Sequence, residues 1–244
     1  MRSAVIIVGL IVLAVAPTLA ADSIVSVWGA ENTSNTATSS WYGNVGLIAT
    51  PSAFTPPATA TSVGVHWVNR HPDSTWMANI NFGVTAELEV GGAWIQSAGD
   101  DEAESDHDSS QTIINAKYRL SVAQWLEEPN LPDMAVGCFD IANQINRSIY
   151  LVLSKGFRFD ESDASSPCIN LHAGWACSDS GEGAMDGFFG GLEFNALKDC
   201  LVQAEYDGEN FNADLRYNLT KGLSLEGGIL NEDPGFGLTY RSEF

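Results

Sequence analysis

From Thr61 onward, apolar and polar residues alternate with a period of two. Val63, Val65 and Trp67 share one parity and His66 takes the other. Trp76, Ala78, Ile80 and Phe82 oppose Met77, Asn79 and Asn81. Leu88, Val90 and Trp94 oppose Glu87 and Glu89, and Ile114, Ala116, Tyr118 and Leu120 oppose Asn115, Lys117 and Arg119. Successive side chains of a strand point to opposite faces, so this pattern predicts strands with one apolar and one polar face. The predicted strands are Thr61–Asn69, Thr75–Phe82, Ala86–Gln96, Gln111–Leu120, Met134–Ala142, Arg147–Phe159, Pro167–Cys177 and Gly187–Ala196. Four more follow within Cys200–Phe244, where Val202, Ala204 and Tyr206 oppose Gln203, Glu205 and Asp207. There Phe211, Ala213, Leu215 and Tyr217 likewise oppose Asn212, Asp214, Arg216 and Asn218. The total is twelve strands joined as hairpins, with at most one helical turn, at Val122–Leu126.

Two architectures produce such alternation. A soluble exported β-sandwich, serving as a binding protein, covers its apolar face with a second sheet. A membrane barrel turns the apolar face to lipid and closes the sheet, because every backbone group must be paired there. The polar parity decides for the barrel. Glu87, Glu89, Lys117, Arg119, Glu193, Glu205, Asp207, Asp214, Arg216, Glu226 and Arg241 carry both signs along the strands, as a charge-paired lumen lining requires. Trp67, Trp76, Trp94, Tyr118, Trp175, Tyr217 and Tyr240 stand toward strand ends, where interfacial girdles form. The expectation is therefore all-β, a transmembrane antiparallel up-and-down barrel. An even strand number brings both termini to the periplasmic side and sends loops 97–110 and 178–186 outside.

The leading residues sharpen the compartment. Arg2, an apolar run from Ala4 to Ala16 and small residues through Ala20 read as a cleaved signal peptide, residues 1–20. Residues 21–43 then read as a flexible Ser/Thr/Asn-rich leader, and 44–244 as one barrel domain. The segment 41–50 is left open between a lumen plug and an extra strand.

Composition excludes several functions. A formal charge of −20 argues against nucleic acid as a partner. Cys138, Cys168, Cys177 and Cys200 permit up to two disulfides in an exported chain, although Cys168 and Cys177 lie at opposite ends of one strand and should not close. No His/Cys spacing suits a metal, no cofactor fingerprint occurs, and the acids of loop 97–110 lack the Gly and closing Glu of a calcium loop. His71-Pro72-Asp73-Ser74 sits on a predicted turn, and no catalytic residues are assigned. The chain is expected to be no enzyme, with the lipid bilayer as its first partner.

Two resemblances add to this. Asp233–Tyr240, with Gly235, Leu238 and Tyr240, resembles the signal read by the outer-membrane assembly machinery, and Phe244 supplies a terminal aromatic. The stretches GLIATPSA (46–53), PDMAVGCFD (132–140), YLVLSKGF (150–157), FFGGLEF (188–194) and AEYDGENFN (204–212) resemble the YjbH-like outer-membrane family. That resemblance implies a bacterial outer-membrane barrel acting as an accessory or conduit in exopolysaccharide export, with polysaccharide as a partner. A narrow porin or structural barrel is the alternative.

Overall fold

The computed structural model describes residues 25–26, 38–70, 73–98, 109–128, 130–160, 166–181, 185–197 and 199–242. The signal peptide, most of the leader, the centre of the acidic loop and Phe244 lie outside the described residues. The strands are β1 (Val25–Ser26), β2 (Thr61–Val68), β3 (Ser74–Gly83), β4 (Leu88–Ala98), β5 (Ser109–Leu120), β6 (Asp133–Phe139) and β7 (Ser148–Arg158). They continue with β8 (Cys168–Ser178), β9 (Gly187–Leu197), β10 (Cys200–Tyr206), β11 (Phe211–Asn218), β12 (Leu223–Leu230) and β13 (Asp233–Ser242). One short helix, α1 (Val122–Trp125), lies between β5 and β6 where the helical turn is expected.

Strands β2–β13 pair antiparallel with their chain neighbours, and β13 closes on β2 with Leu238 opposite Val65 and Tyr240 opposite Val63. The result is a closed twelve-stranded up-and-down barrel, which leaves no edge along the ring. Both the start of β2 and the end of β13 lie at one mouth, together with the turns 84–87 and 219–222, α1, the ends of β7 and β9 and the starts of β8 and β10. With the ends of β2, β4 and β8, the loops 140–147, 207–210 and 231–232 lie at the other. The last of these is a two-residue turn whose Asn231 and Glu232 have φ of 53° and 71°, the primed geometry that matches strand twist. Strand β6 is shorter than β7, and beyond its end β1 pairs with Phe157 and Arg158.

The alternation dictates which face meets what. Val65, Ile80, Val90, Ile114, Leu151, Leu171, Leu215 and Leu238 are exposed on the outer wall, an apolar belt that only lipid can cover. Aromatics rim it. Trp67, Trp76, Trp175, Phe188, Phe211 and Phe236 lie toward the loop mouth, and Tyr118, Tyr217 and Tyr240 toward the terminal mouth.

Cys138, Cys168, Cys177 and Cys200 form no disulfide. Cys138 and Cys177 both stand opposite Ile149 from the strands on either side of it, so one strand separates them. Cys168 and Cys200 are likewise separated by β9. Strands lie about 4.8 Å apart, so each pair is about two spacings apart, beyond disulfide reach. The expectation of up to two disulfides gives way to this register.

Candidate functional site

Eight strands suffice for side chains alone to fill a barrel; twelve leave a wider lumen. Here residues 38–60 fill it. The chain enters at the terminal mouth near Thr38, runs toward the loop mouth at Trp41–Tyr42, turns through Leu47–Thr50 and returns by Pro56–Pro57 to β2. Trp41, Leu47, Ile48 and Ala53 are buried. Residues 38–43, assigned above to a flexible leader, are part of this buried plug, and of the two roles left open for 41–50 the plug is the one seen.

The sequence explains why the segment lies as a plug. Gly43, Gly46, Pro51, Pro56 and Pro57 deny it a regular ladder, so its backbone N–H and C=O groups need partners from elsewhere. The charged inward face of the wall supplies them. Glu205 accepts from the backbone N–H of Ile48 (3.2 Å), Ala49 (2.7 Å) and Thr50 (3.1 Å), and from Thr50 Oγ1 (2.8 Å). Glu89 and Lys117, paired at 2.9 Å, hold the two sides of one residue. Val45 N–H donates to Glu89, and Lys117 Nζ donates to Val45 O at 2.7 Å.

Two further clusters complete the grip. Glu226 accepts from Trp41 Nε1 at 3.1 Å, and Arg216 Nη2 stands 3.2 Å from the same carboxylate while donating to Ser39 O. His66 Nε2 lies 3.1 Å from that carboxylate, and its ring stacks on Trp41 with centroids 4.8 Å apart. Glu193 accepts from Thr38 Oγ1, Gln203 and Asn170. Next to it Ser154 Oγ lies 2.7 Å from His172 Nδ1 and accepts from Ala53 N–H. Asn79 and Asn115 donate to the carbonyls of Ser40, Trp41 and Tyr42. Burial raises the Tyr42 phenol above its ordinary 10.0, with Arg70 opposing the rise.

Hydrogen bonds with an ionised partner each contribute on the order of 1.5–3 kcal/mol, and more is lost when one is left unmet in a dry interior. Buried charges are costly unless paired and hydrogen-bonded. Plug and wall therefore depend on each other: the carboxylates need the plug's N–H groups, and the plug's backbone needs the carboxylates. Close approach is secured by glycine. A Cβ on Gly91 would stand 1.9 Å from the Gly43 carbonyl oxygen, and one on Gly235 would stand 2.8 Å from the Trp41 ring. An apolar cluster, in which Trp41, Ile48 and Ala53 meet Met77, Ile113, Phe139 and Phe189, completes the interior.

The residues expected to line the lumen divide as follows. Glu89, Lys117, Glu193, Glu205, Asp207, Asp214, Arg216 and Glu226 are all buried within the barrel. Asp207 caps the loop 207–210, accepting from Glu209 and Asn210 N–H. Arg119 and Arg241 lie half-buried near the terminal mouth, and Glu87 sits in the 84–87 turn, bonded to Thr85. Of the assembly-signal residues, Leu238 and Tyr240 face outward on β13, and Gly235 faces the Trp41 ring. The residues passed over as site members are His66, His172, Ser154, Asn79, Asn115 and Trp41. The parity of His66, His172, Asn79 and Asn115 marked them as inward, but nothing in sequence says what they bind.

A closed, even-numbered antiparallel barrel with an apolar, aromatic-rimmed exterior and a charge-lined interior is a transmembrane β-barrel of the bacterial outer membrane, here one carrying its own internal plug. Residues 38–167, more than half of the chain and including the whole plug, match the family described as YjbH, exopolysaccharide biosynthesis protein, and the chain belongs to that family. Similar solved folds include a KdgM porin, 12% identical with a TM-score of 0.45, covering 75% of this chain and 99% of that one. That porin is also known in complex with disordered oligogalacturonate. Another is the Acinetobacter baumannii outer membrane protein Omp33, 10% identical with a TM-score of 0.42, covering 76% of this chain and 98% of that one. None of the curated proteins is similar to it in sequence.

Proposed function

We propose that the protein is a non-enzymatic accessory of exopolysaccharide export whose barrel rests shut. One observation carries the reading: four wall acids that could line an ion path, Glu89, Glu193, Glu205 and Glu226, are engaged by the plug, with Glu205 alone accepting three of its backbone N–H groups. A conduit role requires the plug to leave the lumen, at the cost of those bonds. The Ser154–His172–Glu193 set has the residue types of a hydrolytic triad. Its serine oxygen is instead taken by Ala53 N–H, which supports a plug anchor.

The test has two arms. Reconstituted in planar bilayers, the full protein should stay closed; steady open channels would overturn the resting-shut reading. In the source bacterium, removal of the gene should lower exported polysaccharide, and a copy lacking residues 38–60 should fail to restore it. Unchanged polysaccharide output on removal would rule out the export role.

A further inference from the structure

At the terminal mouth the plug leaves a cavity of about 1040 Å³ unfilled. That is at the upper end of the range of about 300–1000 Å³ for ligand pockets. Its charge is the reverse of the rest of the molecule. The chain has 31 acids and 11 bases, yet Arg216, Lys221 and Arg241 line this cavity against Asp199. The rest of the lining is mainly hydroxyl, from the serines and threonines.

Two lining groups strengthen the case. Ser62 Oγ and Arg216 Nε are buried and make no hydrogen bond, although buried donors are nearly always paired. Ser62 and Arg216 are 7% and 4% exposed, so neither is a free surface side chain. Donors that lack an acceptor, cations in an acidic molecule and hydroxyl-rich walls together suit a ligand bearing carboxylates on a polyhydroxylated frame.

We propose that this mouth binds an acidic saccharide, a segment of uronate-bearing polymer held at the blind end of the plugged barrel. This rests on the export reading above and names the polymer's chemistry. Arg241 and Lys221 meet its carboxylates at the rim, the serine and threonine hydroxyls meet its hydroxyls, and Asp199 opposes its charge.

The test is calorimetric titration of the full-length protein in detergent micelles with tetragalacturonate and, for comparison, neutral maltotetraose. Tetragalacturonate should bind at least about tenfold more tightly and weaken as salt rises. Arg241→Ala and Lys221→Ala should each weaken it about tenfold, the scale of one charge-assisted contact. Asp199→Asn removes a repelling charge and should tighten binding, an effect that misfolding cannot mimic. Equal binding of the neutral sugar, or indifference to all three substitutions, would overturn the proposal. So would displacement by inorganic phosphate at equal concentration, which would leave an anion hole without saccharide preference. No binding of either sugar to protein with normal heat-modifiable mobility would also sink it. That result leaves the accessory reading standing, since polysaccharide output reads that separately.

Discussion

The Glu205 carboxylate accepts the Ala49 backbone N–H at 2.7 Å, across 156 residues of chain. It joins the wall of the barrel to the tip of the segment that fills it. The neighbouring N–H groups of Ile48 and Thr50 converge on the same carboxylate, so one side chain closes the turn of the plug.

Glu205→Ala should therefore loosen the plug more than any other single wall substitution. It leaves three buried N–H groups unmet, a loss of about 2–4 kcal/mol. The expected result is a lower denaturant midpoint in micelles and proteolytic cleavage within 38–60 while the barrel stays resistant. Glu205→Gln keeps one acceptor oxygen and should fall between. A plug as resistant as in the unaltered protein would show that the turn is held by its apolar packing alone.

Deleting residues 38–60 should convert the closed barrel into a cation-selective one. The wall then exposes Glu89, Glu193, Glu205, Asp214 and Glu226 against Lys117 and Arg216, an excess of negative charge in a narrow lumen. Under a potassium chloride gradient the reversal potential should shift toward that of potassium. Anion selectivity would mean that the mouth residues Arg119, Lys221 and Arg241 govern permeation instead.

Gly91→Val should unseat the plug by steric means, since a Cβ there would overlap the Gly43 carbonyl, which is backbone and cannot swing away. Gly227 provides the contrast: a Cβ there meets nothing within 4 Å, and it faces outward. Gly227→Ala should be neutral or slightly stabilising, because glycine weakens a strand interior. The temperature at which gel mobility changes on heating should fall for the first and hold for the second.

On the outside, Leu215→Arg sets a charge in the lipid belt and should destabilise by about 2–4 kcal/mol near the midplane. Leu215 is 51% exposed on β11, next to the buried Asp214 and Arg216. Refolding titrations in lipid vesicles measure the cost. An unchanged stability would mean that this face of β11 does not meet the hydrocarbon.

Strand number, face assignment and hairpin order were legible in the residues, because a period of two is a local property that each strand reports for itself. The inward parity of Glu89, Lys117, Glu193, Glu205, Arg216 and Glu226 followed from that alone. The plug was not legible to the same degree. Trp41–Ala53 is a short apolar stretch broken by glycine and proline, compatible with an extra strand or a leader's end. That the cysteines stay unbridged was also hidden, since which strands lie side by side at Ile149 is a matter of register. What the sequence by itself determined is a sheet with one face for lipid and one for charge. Only the tertiary structure decided what those charges do. Closing twelve strands leaves a lumen too wide for side chains, and the chain's own irregular backbone is what brings N–H groups within reach of Glu205, Glu89 and Glu226.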